Sequence, residues 1–239
     1  MLAYLSTFVL PGLLVAVVAY LLGSVSFSII FTRVFSNNTD IRTLGSGNAG
    51  ATNVLRSVGA KAAIFTTVFD FAKGAVSVMI GRYVFQYAGE LAGLATPTLH
   101  YASQYGAYLA GVLCVIGHIY PLYFGFKGGK GVLTSAAMIA LIDWRVFVLS
   151  MGLFIIVLAV SQIVSLASIC GASMFPIATF FVTYFVDYRM DQSASLTYVL
   201  VTTSIAALMA VILVAEHRTN IIRIKNGTEK KLSVHKKSE

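Results

Sequence analysis

The segment from Leu5 to Phe31, LSTFVLPGLLVAVVAYLLGSVSFSIIF, decides the fold because it contains no charged side chain. A helix needs about 20 apolar residues to cross the hydrocarbon core of a bilayer. The rest of the chain has the same character: 58% of its residues are hydrophobic, 11% are charged and the mean hydropathy is +0.85. Soluble domains carry about 25% charged residues. The sequence therefore predicts an integral membrane protein, with residues 1–239 forming a single membrane domain.

Seven apolar segments can be placed along the chain. They are Leu5–Phe31, Ala62–Val84, Gln104–Tyr120, Gly131–Ile142, Arg145–Ile163, Ser165–Val186 and Leu196–Ala215. The fourth is too short to cross the bilayer alone unless the membrane thins or the helix extends. The region from Tyr87 to Tyr105 is expected to be a loop or a surface helix. The predicted fold class is all-α, a polytopic membrane protein with about seven transmembrane helices.

The distribution of positive charge predicts the orientation of these helices. Cytoplasmic loops of membrane proteins carry an excess of Lys and Arg. Thirteen of the seventeen Lys and Arg residues fall in Thr32–Lys61, in Ile119–Gly131 and in the tail after Ala215. We therefore expect the N-terminus outside the cell and the C-terminus in the cytoplasm. The net charge of +8 is then explained by cytoplasmic anchoring and an anionic ligand, and nucleic acid is not expected as a partner.

The segment from Ile41 to Gly59, IRTLGSGNAGATNVLRSVG, is polar and rich in glycine, unlike its surroundings. Its Ala51–Val58 part is predicted to be a short helix that ends at Gly59. A glycine-rich loop leading into a helix start presents backbone N–H groups to an anion such as phosphate. The loop residues concerned are Gly45, Ser46, Gly47, Asn48 and Gly50. Asn53 and Arg56 share one face of the helix, and Arg56 is interpreted as a clamp on the phosphate.

Two alternatives to a phosphate site also fit this segment. A glycine-rich loop is often only a tight turn, and the motif alone does not separate a turn from a phosphate site. The string from Gly45 to Gly50 also matches the dinucleotide fingerprint G-x-G-x-x-G, which requires a preceding strand and an acidic residue downstream. A membrane-length apolar segment precedes the string here, so a dinucleotide site is rejected.

The second positive loop contains GHIYP at Gly117–Pro121 and FKGGKG at Phe126–Gly131. Two ammonium groups flank a flexible glycine pair, so charged and backbone donors can converge on one anion. The residues concerned are Lys127, Gly128, Gly129 and Lys130. It is not a Walker A loop, because glycine follows the second lysine where Ser or Thr is required. A basic loop that only touches lipid headgroups is the alternative, and His118 is interpreted as a structural histidine at a helix end.

The third motif begins where the last span is expected to leave the membrane, at EHRTNIIR from Glu216 to Arg223, followed by Gly227, Glu229 and Lys230. If the helix continues inward, His217 and Asn220 align on one face. A positively charged tail explains the basic residues of this segment without any function. It explains His217 and Asn220 less well, so both are candidate site residues.

Asp70 and Lys73 lie three residues apart within the second apolar segment. A charge at such a position is costly and is expected to face a partner or the protein interior. We interpret the two as an ion pair that fixes helix packing and not as catalysts. Cys114 and Cys170 lie in apolar runs, which is typical of buried thiols, so neither a disulfide nor a metal site is predicted. The sequence also contains no H-x-x-x-x-D, G-x-S-x-G or H-E-x-x-H motif.

Taken together, three motifs resemble the bacterial acyl-phosphate:glycerol-3-phosphate acyltransferase family. They are GSGNAGATNVLR at Gly45–Arg56, FKGGKG at Phe126–Gly131, and HRTNIIR with GTEK at His217–Lys230. The resemblance extends to Asp70–Lys73 and to the apolar segments. It implies a seven-helix enzyme of the bacterial cytoplasmic membrane that transfers a fatty acyl group from acyl phosphate to glycerol 3-phosphate, at the start of phospholipid synthesis. The products are lysophosphatidic acid and phosphate, and the active site would lie on the cytoplasmic side.

The resemblance also implies roles for individual residues. Glycerol 3-phosphate would be held by Ser46, Arg56, Lys130, His217 and Asn220. The acyl phosphate and the carbonyl oxyanion would be held by Asn48, Thr52, Asn53, Gly128 and Gly129. Gly45 and Gly47 are also expected to bind substrate, because glycine lets a ligand approach the main chain closely. Ser46, Arg56 and His217 are the expected catalytic residues, and Ser165 and Ser168 are weaker candidates. Lys127 could replace Lys130, and either His217 or the leaving phosphate could accept the proton.

No cofactor, metal or obligate protein partner is implied beyond the two substrates and the membrane lipids. A membrane transporter for an organic phosphate is the alternative function, since it would also use basic, glycine-rich loops. Transporters usually carry a site near the bilayer midplane and detectable internal repeats. Here the polar motifs gather on one predicted face and no repeat is visible in the sequence, which favours the enzyme.

Overall fold

The computed structural model describes residues 2–232, and in that range all the regular secondary structure is helical. The helices are α1 (Leu2–Ser24), α2 (Phe27–Phe35), α3 (Ala51–Ser57), α4 (Ala60–Leu91), α5 (Thr98–Ile119), α6 (Val132–Ile142), α7 (Trp144–Ser161), α8 (Val164–Phe180), α9 (Leu196–Glu216) and α10 (Arg218–Lys225). A π-helical segment, Phe181–Met190, extends α8. The all-α prediction is confirmed. Lys236 and Lys237, which contributed to the predicted charge of the tail, lie outside the described residues.

Within residues 2–232, six helical segments are long and apolar enough to cross a membrane. They are Thr7–Phe35, Ala60–Leu91, Thr98–Phe124, Trp144–Ser161, Val164–Met190 and Leu196–Glu216. The remaining predicted segment is α6, an apolar helix of only 11 residues. The six long segments and α6 therefore match the seven predicted apolar segments, and the orientation of the helices stays a prediction.

A loop or a surface helix was expected between Tyr87 and Tyr105, and the structure shows a loop only between Leu91 and Thr98. Helix α4 continues to Leu91 and α5 already begins at Thr98, so the connection is a short one. A helix can continue beyond an apolar segment because backbone hydrogen bonds and packing are enough to hold it. Gln86 Nε2 donates a hydrogen bond of 3.0 Å to Glu90 one turn later, which supports the extended helix.

The chain divides into two compact units, the first ending at Trp144 and the second beginning at Arg145. Each is described by itself, and the single-domain expectation stays a prediction. In the first unit α4 and α5 pack closely at Gly81 and Gly106, where a Cβ on either residue would overlap the carbonyl oxygen of the other. Small residues let helix backbones approach in this way inside membranes. The first apolar segment is interrupted at Val25 and Ser26, between α1 and α2.

In the second unit, a polar break at Ser161 and Gln162 separates α7 from α8. Gln162 has a positive φ of 57°, and Ser161 Oγ accepts a hydrogen bond of 3.1 Å from the backbone N–H of Ile163. At the other end of α7, Arg145 makes a bidentate contact with Asp187 at 2.7 and 3.0 Å. Paired donors of this kind are among the stronger charged contacts.

Candidate active site

The first glycine-rich loop is organised by the side chain of Asn53. Its Nδ2 group donates to the carbonyl oxygens of Leu44 at 3.0 Å, Asn48 at 3.1 Å and Ile41 at 3.3 Å. Its Oδ1 atom accepts a hydrogen bond of 3.0 Å from the backbone N–H of Ser46. Asn53 is buried, and these contacts occupy both ends of its amide. The structure thus gives Asn53 a role inside the loop, and its predicted contact with substrate stays untested.

The backbone of this loop requires glycine where it passes over Asn53. Gly45 has a φ of +58°, and a Cβ there would overlap Asn53 Oδ1 and crowd Ser57 Oγ. Ile41, Ala49 and Val54 are fully buried beneath the loop, which anchors it to the apolar core. The loop is therefore anchored to the apolar core at these three buried residues.

Helix α3 begins at Ala51, as predicted, and its extended N-cap residue Gly50 supplies no side-chain hydrogen bond. Gly59, with a φ of +122°, follows the end of the helix and donates to the carbonyl oxygen of Val54 at 3.1 Å. The N–H of Asn53 donates to the carbonyl oxygen of Gly50 at 3.0 Å, so the N–H groups of Ala51 and Thr52 are the ones that the helix start leaves for other acceptors. Around it, Ser46 and Arg56 are exposed, whereas Asn48 and Thr52 are half-buried. This is the arrangement of donors expected for an anion site.

The second loop packs directly against the first. Gly128 and Gly129 donate backbone hydrogen bonds to the carbonyl oxygens of Ile119 at 3.0 Å and His118 at 3.2 Å. A Cβ at Gly129 would overlap both the Nε2 atom of His118 and the carbonyl oxygen of Ala49. The glycine pair therefore allows the two loops to touch. Two motifs that are far apart in the sequence are brought together at this contact.

Arg42 links the same two loops, a role that was not predicted from the sequence. Its Nη1 atom donates to the carbonyl oxygens of Phe124 at 2.6 Å and Lys127 at 3.3 Å. Its Nε and Nη2 atoms hold the two carboxylate oxygens of Asp40 at 3.0 and 2.8 Å. The hydrogen bonds from Arg42 hold the pKa of Asp40 below its usual value. Arg42 is thus a brace between the loops, and a guanidinium suits it because its donors point in several fixed directions.

The two lysines of the second loop differ in exposure. Lys127 is exposed and Lys130 is half-buried, on either side of the half-buried Gly128 and the buried Gly129. The negative charge of Asp40 is neutralised by the guanidinium of Arg42, which lies 2.8 Å away. The balance of charge on the two loops is positive, which favours binding of a phosphate group.

Beneath the loops, the predicted pair of Asp70 and Lys73 is confirmed, with Lys73 Nζ 2.9 Å from Asp70 Oδ1. Both side chains are buried. His118, interpreted from the sequence as structural, is also buried, and its Nδ1 atom lies 3.6 Å from the same carboxylate oxygen. His118 therefore lies between the ion pair and the start of the second loop.

The third motif lies in the second unit, where Glu229 organises it. Its Oε1 atom accepts hydrogen bonds from Ser165 at 2.7 Å and Asn220 at 2.5 Å, and its Oε2 atom accepts one from Arg223 at 2.6 Å. Burial raises the pKa of Glu229, but the hydrogen bonds from Arg223, Ser165 and Asn220 outweigh it and hold that pKa below its ordinary value. The carboxylate thus joins α10 to the start of α8. Glu229 belongs to the motif seen in the sequence, but its organising role was not predicted.

His217 occupies the turn between α9 and α10, in place of the single continuous helix considered from the sequence. It is buried, and its Nδ1 atom lies 2.7 Å from the carbonyl oxygen of Leu213. A carbonyl oxygen only accepts, so this contact assigns the hydrogen to Nδ1 and leaves Nε2 as the basic nitrogen of the neutral ring. That tautomer is the one a proton acceptor at Nε2 requires.

Known proteins resemble this chain over most of its length. A family model described as glycerol-3-phosphate acyltransferase matches residues 13–227. The chain belongs to the glycerol-3-phosphate acyltransferase family. It is 35% identical over 222 residues to the glycerol-3-phosphate acyltransferase of Prochlorococcus marinus (strain MIT 9215), covering 93% of this chain and 98% of that protein. It is also 35% identical over 224 residues to that of Clostridioides difficile (strain 630), covering 94% and 97%.

Solved structures agree with this assignment. The crystal structure of PlsY (YgiH), an integral membrane glycerol 3-phosphate acyltransferase, in its glycerol 3-phosphate form is similar with a TM-score of 0.70 at 28% identity. The match covers 93% of this chain and 96% of that one. The lysophosphatidic acid form gives a TM-score of 0.69 at the same identity. The family resemblance predicted from the three motifs is confirmed, and with it membership of a family of membrane enzymes.

Proposed function

We propose that this chain transfers a fatty acyl group from acyl phosphate to the hydroxyl group of glycerol 3-phosphate. The observation that carries the proposal is the close approach of Gly129 to Ala49, which brings together the two glycine-rich loops predicted to bind phosphate. The chain in which these loops meet is a member of the glycerol-3-phosphate acyltransferase family. Relatives named as glycerol-3-phosphate acyltransferases support the acceptor, and PlsY has been solved with glycerol 3-phosphate and with lysophosphatidic acid. The acyl phosphate donor follows from the resemblance of the motifs.

The reaction needs positioning more than a strong base. An acyl phosphate is a mixed anhydride and is already activated toward attack. The hydroxyl oxygen of glycerol 3-phosphate attacks the acyl carbonyl carbon, a new C–O ester bond forms, and the C–O bond to phosphate breaks. Phosphate leaves with the bonding electrons and can take up the hydroxyl proton. The protein's tasks are to hold two anions close together and to stabilise the charge on the carbonyl oxygen.

In this scheme the first unit supplies most of the phosphate-binding groups. Ser46 and Arg56 are exposed beside the uncapped start of α3 and would contact glycerol 3-phosphate. Asn48 and Thr52 would face the acyl phosphate, and the backbone of the Gly128–Gly129 pair would stabilise the oxyanion. Asn53 acts by shaping the loop. Either Lys127 or Lys130 would neutralise a phosphate, and comparing Lys127→Ala with Lys130→Ala will identify which substrate each lysine serves.

In the second unit, His217 and Asn220 are the proposed contacts to glycerol 3-phosphate. The tautomer of His217 is compatible with a base at Nε2. If both His217→Ala and His217→Gln keep near-normal turnover, the leaving phosphate and not the imidazole accepts the proton. Asn220 is oriented by Glu229, so its contribution depends on that hydrogen bond.

The experiment that tests the proposal uses purified protein in detergent with acyl phosphate and labelled glycerol 3-phosphate. We expect labelled lysophosphatidic acid and one phosphate released for each product formed. The same protein in liposomes tests the transporter alternative. Accumulation of labelled glycerol 3-phosphate inside the liposomes, with no product formed, would replace the enzyme proposal.

We further propose that the loops face the cytoplasm of a bacterial cell, as the positive charges predict. Single cysteines at Ser57 and Tyr123 should react in intact cells only with membrane-permeant reagents, in a background with Cys114 and Cys170 replaced by serine. A cysteine at Gln192, in an exposed connection between the sixth and seventh predicted segments, is the matched control and should react with impermeant reagents. Labelling of the Ser57→Cys variant by an impermeant reagent added outside would contradict the proposed orientation. Ser233, in the predicted inner tail, lies outside the described residues.

A further inference from the structure

Three charged or titratable side chains are buried together in the first unit, and the proposed reaction does not use them. Asp70, Lys73 and His118 are 1%, 6% and 5% exposed. Burying charges is costly even when they are paired, so a buried ion pair by itself is weak evidence for stabilisation. The contacts of the three residues with the rest of the unit show what the arrangement does.

Lys73 is bound to the break in the first membrane segment. Its Nζ atom donates to the carbonyl oxygens of Gly23 at 3.0 Å and Val25 at 2.7 Å, in addition to its contact with Asp70 at 2.9 Å. The interruption between α1 and α2 exposes carbonyl oxygens that have no helical partner, and a buried ammonium satisfies them. The pair is thereby fixed to the end of α1 and to the connection that follows it.

His118 connects the pair of Asp70 and Lys73 to the second loop. Its Nδ1 atom faces Asp70 Oδ1 at 3.6 Å, and the opposite edge of the ring, at Nε2, lies against the α-carbon of Gly129. The carbonyl oxygen of His118 accepts a hydrogen bond of 3.2 Å from the N–H of Gly129. Gly129 is thus held by the ring and the backbone of the same residue, and the ring and the carbonyl oxygen of Ala49 both border the position that a Cβ of Gly129 would occupy.

We propose that His118 is a positioning residue for the second loop, and that the buried pair of Asp70 and Lys73 holds it in place. The imidazole fills the space beside Gly129 on the same face that meets Ala49, and so limits the positions open to the backbone between Lys127 and Gly131. The effect on turnover rests on the proposed function. The effect on the loop itself does not, and the two are measured separately.

The first measurement is hydrogen–deuterium exchange of the backbone from Ile119 to Gly131 in the full-length protein in detergent. His118→Ala removes the ring, His118→Gln keeps a polar group of similar reach, and His100→Ala is the matched control. His100 is exposed near the beginning of the same helix α5. We expect exchange at the Gly128 and Gly129 amides to rise about tenfold in His118→Ala and less in His118→Gln. Unchanged exchange in both His118 variants would overturn the inference.

The second measurement separates positioning from a loss of folded protein. Partial unfolding lowers the amount of active enzyme and leaves KM unchanged, whereas a displaced binding loop raises KM. We expect KM for at least one phosphate-bearing substrate to rise about tenfold in His118→Ala, with partial rescue in His118→Gln. Unchanged KM values for both substrates in both folded variants would overturn the positioning role. If the wild type forms no product, the proposed function fails and the exchange measurement still decides this inference.

The link from Asp70 to His118 is tested by combining substitutions. Asp70→Asn should raise exchange at the Gly128 and Gly129 amides less than His118→Ala does. In the double variant we expect no further increase, because residues that act through one another give non-additive effects. Fully additive effects would show that Asp70 does not act through His118 and would overturn the link between the buried pair and the loop. If the alanine variant does not elute as a single folded species, the same cycle is made with His118→Gln.

Discussion

The first glycine-rich loop and the third motif are both held by one buried polar side chain, but the chemistry of the two organisers differs. Asn53 is a neutral amide that bonds only backbone groups of its loop and the neighbouring Ser57 hydroxyl. Glu229 is a carboxylate that bonds three side chains, one of them the guanidinium of Arg223. A negative charge beside a phosphate site would repel the ligand. The first loop is thus organised by an uncharged side chain, whereas the third motif, also proposed to contact glycerol 3-phosphate, is organised by a carboxylate whose charge Arg223 neutralises.

The strongest test of this contrast is Asn53→Asp, which keeps the shape but removes the donor group and adds a negative charge. Three donated hydrogen bonds are lost, and at about 1 kcal/mol each this corresponds to roughly a hundredfold loss of kcat/KM. The matched control is Asn38→Asp, an exposed residue of the same connection whose φ of +60° both residue types tolerate. Near-normal kcat/KM in Asn53→Asp would show that the first loop does not require an uncharged side chain at this position.

A smaller effect is expected at the brace between the loops. Arg42→Lys keeps the charge but cannot reach Asp40, Phe124 and Lys127 together. We expect kcat/KM to fall about tenfold, as for loss of one charge-assisted hydrogen bond. Arg33→Lys is the control, because Arg33 contacts Asp40 at 3.4 Å from an exposed position and such pairs contribute little. Equal losses of kcat/KM in the two variants would show that the contacts of Arg42 between the loops do not contribute to activity.

The smallest effect is expected from Glu229→Gln, which keeps the shape and removes the charge. Arg223 is 41% exposed, so after solvent screening the loss is about 1 kcal/mol in the free energy of unfolding at neutral pH. The pKa of Glu229 is lowered in the folded protein from an ordinary value of 4.5, so its stabilisation is present above that pH and disappears as the pH falls through the folded pKa. Unfolding of both proteins between pH 7 and pH 3 should therefore converge in acid. A constant difference across that range would contradict the assigned role.

The membrane helices could be predicted from the sequence because long apolar runs have few other structures available to them. The break at Val25–Ser26 could not, because what stabilises it is the ammonium of Lys73, far along the chain. The ends of α4 and α5 were misplaced for a related reason. Apolar composition marks where a segment can meet lipid, whereas the helix ends at Leu91 and Thr98 are set by hydrogen bonding and packing.

The site was predictable in its residue types but not in how its residues divide the work. Glycine spacing and basic residues pointed to phosphate at both loops. Spacing alone could not show that Asn53 turns inward, nor that Arg42 spans to Phe124 and Lys127, because those contacts depend on loop conformation. A signal was present for Arg42, since an Asp two residues earlier often accepts from the backbone and orders a turn. For Glu229, an acidic residue in an otherwise basic tail was the visible sign.

The most direct test of the proposed reaction is a comparison of acyl donors that carry the same fatty chain. Acyl phosphate requires one phosphate cradle, an oxyanion site and space for the chain, which the Gly45–Arg56 and Lys127–Gly131 loops can provide. Acyl-CoA and acyl carrier protein present a much larger group, and the short loops offer no separate domain to bind it. With purified protein and labelled glycerol 3-phosphate, we predict lysophosphatidic acid from acyl phosphate and little or none from the other two donors. Comparable rates from acyl-CoA would contradict the donor assignment, and no product from acyl phosphate would contradict the proposed function as a whole.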